Sequence, residues 1–147
     1  MTLKARLKEE LKLAMRSKDK VRLVTIRSLL AAVNQIEIDD KVEMNNDAVT
    51  AVLVKSVKQR KDSIEQFEKA DRHDLADIEK TELAILEEFL PQALTSEEVE
   101  SHIKQAIATV DAKGMQDMGK VMGLLQKEIQ GRADMAEVSA LVRANLM

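Results

Sequence analysis

The stretch from Asn45 to Pro91 constrains this chain more than any other. Val49, Val52, Leu53, Val57, Arg60, Ile64 and Phe67 recur there at steps of three and four, the period of a helix with one buried face. Asn45 or Asn46 is placed to cap its start. Run unbroken from Asp47 to Ala70, such a helix spans about 36 Å at 1.5 Å per residue. Asp71-Arg72-His73 then reads as a turn. A second helix buries Leu75, Ile78, part of Glu82, Ile85, Leu86 and Phe89. Pro91 stops it, because proline has no amide hydrogen to continue the ladder. Two long helices joined by so short a turn lie antiparallel and form the spine of a bundle.

Composition points the same way. One proline and four glycines in 147 residues leave few strand-type turns, and Phe67 and Phe89 are the only aromatic residues. Aliphatic side chains and methionine must therefore fill the core. A chain of this length buries about 68–70% of its unfolded surface, enough for one core or two small ones. Cysteine is absent. That excludes disulfides and thiolate chemistry and points to a reducing cytoplasm. No apolar run approaches bilayer length, and Met1-Thr2-Leu3-Lys4 lacks the apolar segment of an export signal. Neither a membrane nor secretion is expected.

Ahead of the spine, a helix from about Thr2 to Arg16 turns Leu3, Leu7, Leu11 and Ala14 or Met15 inward. After a break at Ser17-Lys18-Asp19, a second helix runs to about Ile36 and buries Leu23, Ile26, Leu30 and Val33. Residues 1–35 carry nine basic and three acidic residues, a balance of +6; residues 36–95 balance at −7 and residues 96–147 at −2. The basic start reads either as solvated helix faces or as a footprint for nucleic acid or an acidic partner. With no aromatics to stack bases, a nucleic-acid contact would go through phosphates. The net charge of −3 gives no long-range pull on a polyanion, and DNA is not an expected partner.

Glu37 to Asn46 is polar and acidic and is expected to be a mobile loop. The long helix after it is free of acid from residue 55 to 61, with Lys55, Lys58 and Lys61 as a secondary basic patch. Arg60 falls on the apolar stripe, where a guanidinium needs a partner such as Glu79 or Glu82. A boundary is expected at Pro91-Gln92-Ala93-Leu94, dividing the chain into domains 1–94 and 95–147. Thr95 and Glu98 form a capping box. The helix they start buries Val99, Ile103, Ala106, Ile107 and Val110. The next, Met118 to Gln130, buries Met118, Val121, Met122, Leu125 and Ile129, with Gly131 as its cap. Asp134 and Glu137 make a second capping box for a last helix with Val138, Leu141, Val142 and Leu146 inward. The predicted fold is all-α: an N-terminal helical bundle with two long antiparallel helices, plus a small three-helix C-terminal domain.

No residues assemble into a recognisable catalytic motif. His73 and His102 are far apart and lack the spacing of a metal-binding helix, and no nucleophile elbow, phosphate loop or Glu-x-x-His pair occurs. Catalytic residues, metals and cofactors are not expected. Gly119 and Gly123 lie one turn apart within a predicted helix, where each costs about 1 kcal/mol against alanine. Either another helix packs closely there, or the bare backbone admits RNA or a partner beside Lys120, Lys127 and Arg132. Gly131-Arg132 also precedes a helix N-terminus, where free amides favour phosphate.

Three segments carry a family resemblance: Lys55-Ser-Val-Lys-Gln-Arg-Lys-Asp-Ser-Ile-Glu-Gln-Phe-Glu-Lys-Ala70, Arg72-His-Asp-Leu75 and Glu87-Glu-Phe-Leu-Pro-Gln92. Together they resemble the YqeY family. Gly119-Lys-Val-Met122 followed by Gly131-Arg-Ala-Asp134 is similar to the motif that family shares with the tail of the B subunit of the glutamyl/aspartyl-tRNA amidotransferase. Asp71 stands where the family usually has glycine, and Ile78 where it often has lysine. The resemblance implies a non-catalytic adaptor that contacts tRNA or a tRNA-handling enzyme through Gly119, Lys120, Gly123, Lys127 and Arg132. It also carries an alternative, an accessory of a carbon–nitrogen ligase with glutamine as amido-N-donor. A purely protein-binding helical module is the third reading.

Overall fold

The computed structural model describes residues 1–147, which form seven α-helices and no strand. They fall into two compact units, Met1–Leu90 and Pro91–Met147. The first holds α1 (Leu3–Ser17), α2 (Lys20–Asp40), α3 (Asn46–Lys69) and α4 (His73–Glu87). The second holds α5 (Ser96–Thr109), a single 3-10 turn (Met115–Asp117), α6 (Met118–Ile129) and α7 (Met135–Leu146).

In the first unit each of α1, α2 and α3 starts on a side-chain cap. Thr2 accepts from the Ala5 amide, Asp19 from that of Arg22 and Asn45 from that of Ala48, which satisfies amides that have no partner in the helix. The core is built from Leu7 of α1, Ile26, Leu29, Leu30 and Val33 of α2, Val49, Leu53 and Val57 of α3, Leu86 of α4 and Phe89 just beyond it. Phe89 is gripped from outside as well. The Arg6 guanidinium lies 4.8 Å from its ring centre and that of Arg22 5.8 Å, the geometry of cation–π attraction. Arg6 donates to the Glu88 carbonyl at 3.1 Å, and Arg22 pairs with Glu88 at 2.6 Å and Glu10 at 2.9 Å. Those two carboxylates hold the Arg22 pKa above its ordinary value, Glu10 contributing most.

Two expectations are corrected here. Helix α2 runs on through Glu37–Asp40, so the loop foreseen from Glu37 begins only at Lys41. The cause is tertiary. Glu37 accepts from the Lys4 ammonium of α1 and from the Met44 amide at 2.9 Å, which anchors the extra turn. Ile78 is 55% exposed, not inward. The inner positions of α4 belong to Ala76, Glu79, Glu82 and Leu83, because α3 presents Arg60 to them.

The second unit closes on Val99, Ile103 and Ala106 of α5, Val121, Leu125 and Ile129 of α6, and Val138 and Val142 of α7. Thr95 and Glu98 form the full capping box, each bond 3.2 Å long. Asp134 caps α7 alone, accepting from the Ala136 amide at 2.9 Å, so the second box is one-sided. Leu141 is 38% exposed, against the inward place expected for it. Gly131 has φ 82°, a conformation that suits glycine and strains residues with a Cβ.

Candidate functional site

Helix α6 carries four of the five residues expected to contact RNA. Val121, Leu125 and Ile129 are buried, which fixes the orientation of the helix and turns Gly119, Lys120, Gly123 and Lys127 to the surface. A Cβ built at Gly119 or at Gly123 would meet nothing within 4 Å. Close packing against another helix of this chain therefore does not explain the two glycines. Lys120 and Lys127 form no ion pair. Below the glycines the helix has Met122 half-buried and Met115, in the preceding turn, 42% exposed.

Arg132 is elsewhere employed. Its Nε donates to the Gln92 carbonyl at 3.2 Å, and its own carbonyl accepts from the Leu94 amide at 2.8 Å. Through Nε the side chain thus holds the segment 92–94 against the end of α6 within the second unit. Lys55, Lys58 and Lys61 are exposed on α3 in a row of i, i+3, i+6, without ion-pair partners. They lie in the first unit, so the two basic sets belong to different units.

A feature missed as a site lies between α2 and α3. Thr25, Ser28, Leu29 and Ala32 of α2 face Ser56, Gln59, Arg60 and Ser63 of α3 across a groove of about 360 Å³, with Glu79 and Leu86 of α4 at its base. The small side chains among them, Thr25, Ser28 and Ala32 on α2 and Ser56 and Ser63 on α3, leave this space. Arg60 Nη1 bonds Glu79 at 3.2 Å and also Glu82. Its Nε is buried without a partner. The sequence signal was the guanidinium on an apolar stripe, which pointed to the ion pair but not to the groove. No group of three or more His, Asp and Glu side chains is placed to hold a metal ion, and no helix is long and apolar enough to cross a membrane.

Comparison with known proteins bears directly on the functional expectation. The chain is 33% identical over 130 residues to Altered inheritance of mitochondria protein 41, mitochondrial, of Pyrenophora tritici-repentis, a match covering 87% of this chain and 71% of that protein. It is 40% identical to the protein of the same name from Kluyveromyces lactis, over 70% of this chain and 57% of the relative. The Lachancea thermotolerans protein of that name is also 40% identical, over 68% of this chain and 54% of the relative. The chain thus spans little more than half the length of the latter two.

These names overturn two expectations. They speak of mitochondrial inheritance and carry no tRNA or amide-transfer role, so neither the tRNA adaptor nor the carbon–nitrogen ligase accessory stands. In the structure Arg132, one of the three cations expected to meet phosphate, spends its Nε on the Gln92 carbonyl. The cytoplasmic expectation falls too, since the relatives are mitochondrial by name. A chain without cysteine separates reducing from oxidising compartments, not one reducing compartment from another. The family described as Yqey-like protein matches residues 4–146, and the chain belongs to it.

Proposed function

We propose that the chain serves the inheritance of mitochondria, in a mitochondrial setting, as a helical module that seats a partner polypeptide on the glycine face of α6. Setting and process rest on the names of its relatives. The mode of action rests on one observation: two exposed helical glycines, one turn apart, have no neighbour in the chain that an alanine would disturb. Gly123 costs the helix about 1 kcal/mol relative to alanine and Gly119, in the first turn, about half that, and no contact of a Cβ within the chain accounts for that cost. A partner backbone approaching to van der Waals distance would, because a Cβ there would hold it away. The unpaired Lys120 and Lys127 beside the glycines favour a partner segment carrying carboxylates.

Complementation tests this reading. In a Kluyveromyces lactis strain lacking its relative, this chain behind a mitochondrial leader should restore normal inheritance of mitochondria. The double variant Gly119→Leu, Gly123→Leu should fold at least as well and fail to restore it. Failure of the unsubstituted chain overturns the assigned process. Full activity of the double variant overturns α6 as the partner face.

A further inference from the structure

The α1–α2 hairpin has a surface that the fold does not use. Of the nine basic residues in 1–35, three are engaged: Lys4 by Glu37, Arg22 by Glu10 and Glu88, and Arg6 by Phe89 and the Glu88 carbonyl. The other six, Lys8, Lys12, Arg16, Lys18, Lys20 and Arg27, are exposed and have no carboxylate partner. Their positions are not scattered. Lys8, Lys12 and Arg16 follow one another at i, i+4, i+8 on α1, opposite the buried Leu7 and Ala14; Lys20 and Arg27 are seven apart on α2, away from the buried Ile26, Leu30 and Val33. The turn through Lys18 and Asp19 brings Arg16 and Lys20 to the same end. Of the three acids in residues 1–35, Glu10 is paired and Asp19 caps α2, which leaves Glu9 free; Asp39 and Asp40 lie at the far end of α2.

Large apolar side chains stand among these cations. Leu13 is 47% exposed, Met15 55%, Val21 45% and Val24 55%. One exposed aliphatic residue needs no explanation. Four of them interleaved with six free cations on a single hairpin form an amphipathic cationic surface. We infer that this hairpin docks the protein on the surface of an anionic lipid bilayer, the cations meeting headgroup phosphates and the four apolar side chains entering the headgroup boundary. Such a contact needs no spanning segment. Nucleic acid would use the cations but gain nothing from exposed Leu, Met and Val, and the hairpin offers no aromatic ring for a base. Residues 36–95 balance at −7, so the same lipid that attracts the hairpin repels the acidic span after it, and the attraction acts only within about a Debye length, roughly 10 Å at 0.1 M salt.

Sedimentation of the full chain with vesicles tests the inference. The chain should pellet with phosphatidylcholine vesicles containing about 30% phosphatidylglycerol and stay in solution with pure phosphatidylcholine. Each of Lys12→Ala, Arg16→Ala and Lys20→Ala should weaken partitioning about fivefold. Met15→Ser with Val24→Ser should weaken it several-fold at unchanged charge. All five positions are exposed, so melting temperatures should not move. On the unsubstituted chain, raising salt from about 0.1 M to about 1 M should release at least nine-tenths of the bound protein. No preference for the anionic vesicles, or binding indifferent to salt, overturns the inference. Binding that ignores the Met15 and Val24 substitutions marks a general polyanion surface and overturns it equally.

Discussion

Replacing Gly119 and Gly123 together by alanine should raise the stability of the second unit. Both lie inside α6 with ordinary helical backbone, and a Cβ at either meets nothing within 4 Å. The substitution therefore adds no clash and buries no new surface. What remains is helix propensity, about 1 kcal/mol at Gly123 in the interior of α6 and about half that at Gly119, the second residue of the helix. The two sites share no partner that would couple them, so about 1.5 kcal/mol is expected for the pair. For a cooperative unit of 57 residues, Pro91–Met147, 1 kcal/mol corresponds to about 8 °C, because unfolding entropy scales with chain length. A melt followed by circular dichroism at 222 nm should show the transition of this unit raised by about 12 °C. Gly131→Ala gives the opposite sign. With φ 82° at that position, alanine should lower the same transition by about 1 kcal/mol. An unchanged or lowered melting temperature for the double alanine variant would refute the reasoning, since it would mean that the glycines pack against something.

Arg60→Ala should cost the first unit about 1–3 kcal/mol by chemical denaturation, because Glu79 and Glu82 are left half-buried without their cation; adding Glu82→Gln should recover part of the loss. The carboxyl of Glu37 is held below its ordinary value of 4.5, by Lys4 first and then by the Met44 amide. Its stabilising contribution is thus present above 4.5 and lost as pH falls through the lowered folded value, and Glu37→Gln should blunt acid unfolding in that window. Phe89→Leu should cost about 1–2 kcal/mol through the lost ring contacts with Arg6 and Arg22, with the second unit unaffected. Ile78→Lys should leave the melting temperature unchanged, as its exposure implies; a clear drop would place Ile78 in a packing role.

Apolar spacing made the helices legible, and capping chemistry set several of their starts, Thr95 with Glu98 most fully. Their ends were harder. Lys18, Lys41, Asp71 and Asp111 all adopt positive φ, between 53° and 60°. Helices here stop without the glycine that normally signals it, so α2 looked shorter than it is. Asp71 shows this directly: the family usually has glycine there, and the left-handed backbone explains why. Ile78 is the second such position, exposed where the family often has lysine. Reading Ile78 as inward failed because Arg60 draws Glu79, with Glu82, to the inner side of α4. The pairing of Arg60 was foreseen from one residue out of place on a stripe. The groove beside it was not, since small side chains on two helices leave a space only once the helices are set side by side. Gly119 and Gly123 were noticed for their cost, but only coordinates tell a packed glycine from an open one.

The ring of Phe89, with two guanidinium groups within 6 Å of its centre, also makes the molecule unusually easy to watch. The chain has no tryptophan or tyrosine, and its other phenylalanine, Phe67, also lies in the first unit. Phenyl proton resonances therefore arise from two rings, and the second unit contributes none. Shifts displaced by neighbouring cations should distinguish Phe89 from Phe67 without isotopic labelling. Warming or acidifying the sample while tracking that one spin system would report when α1, α2 and the end of α4 part company. Amide ellipticity would record both units together, and the difference between the two signals would isolate the half of the chain that has no phenyl ring of its own.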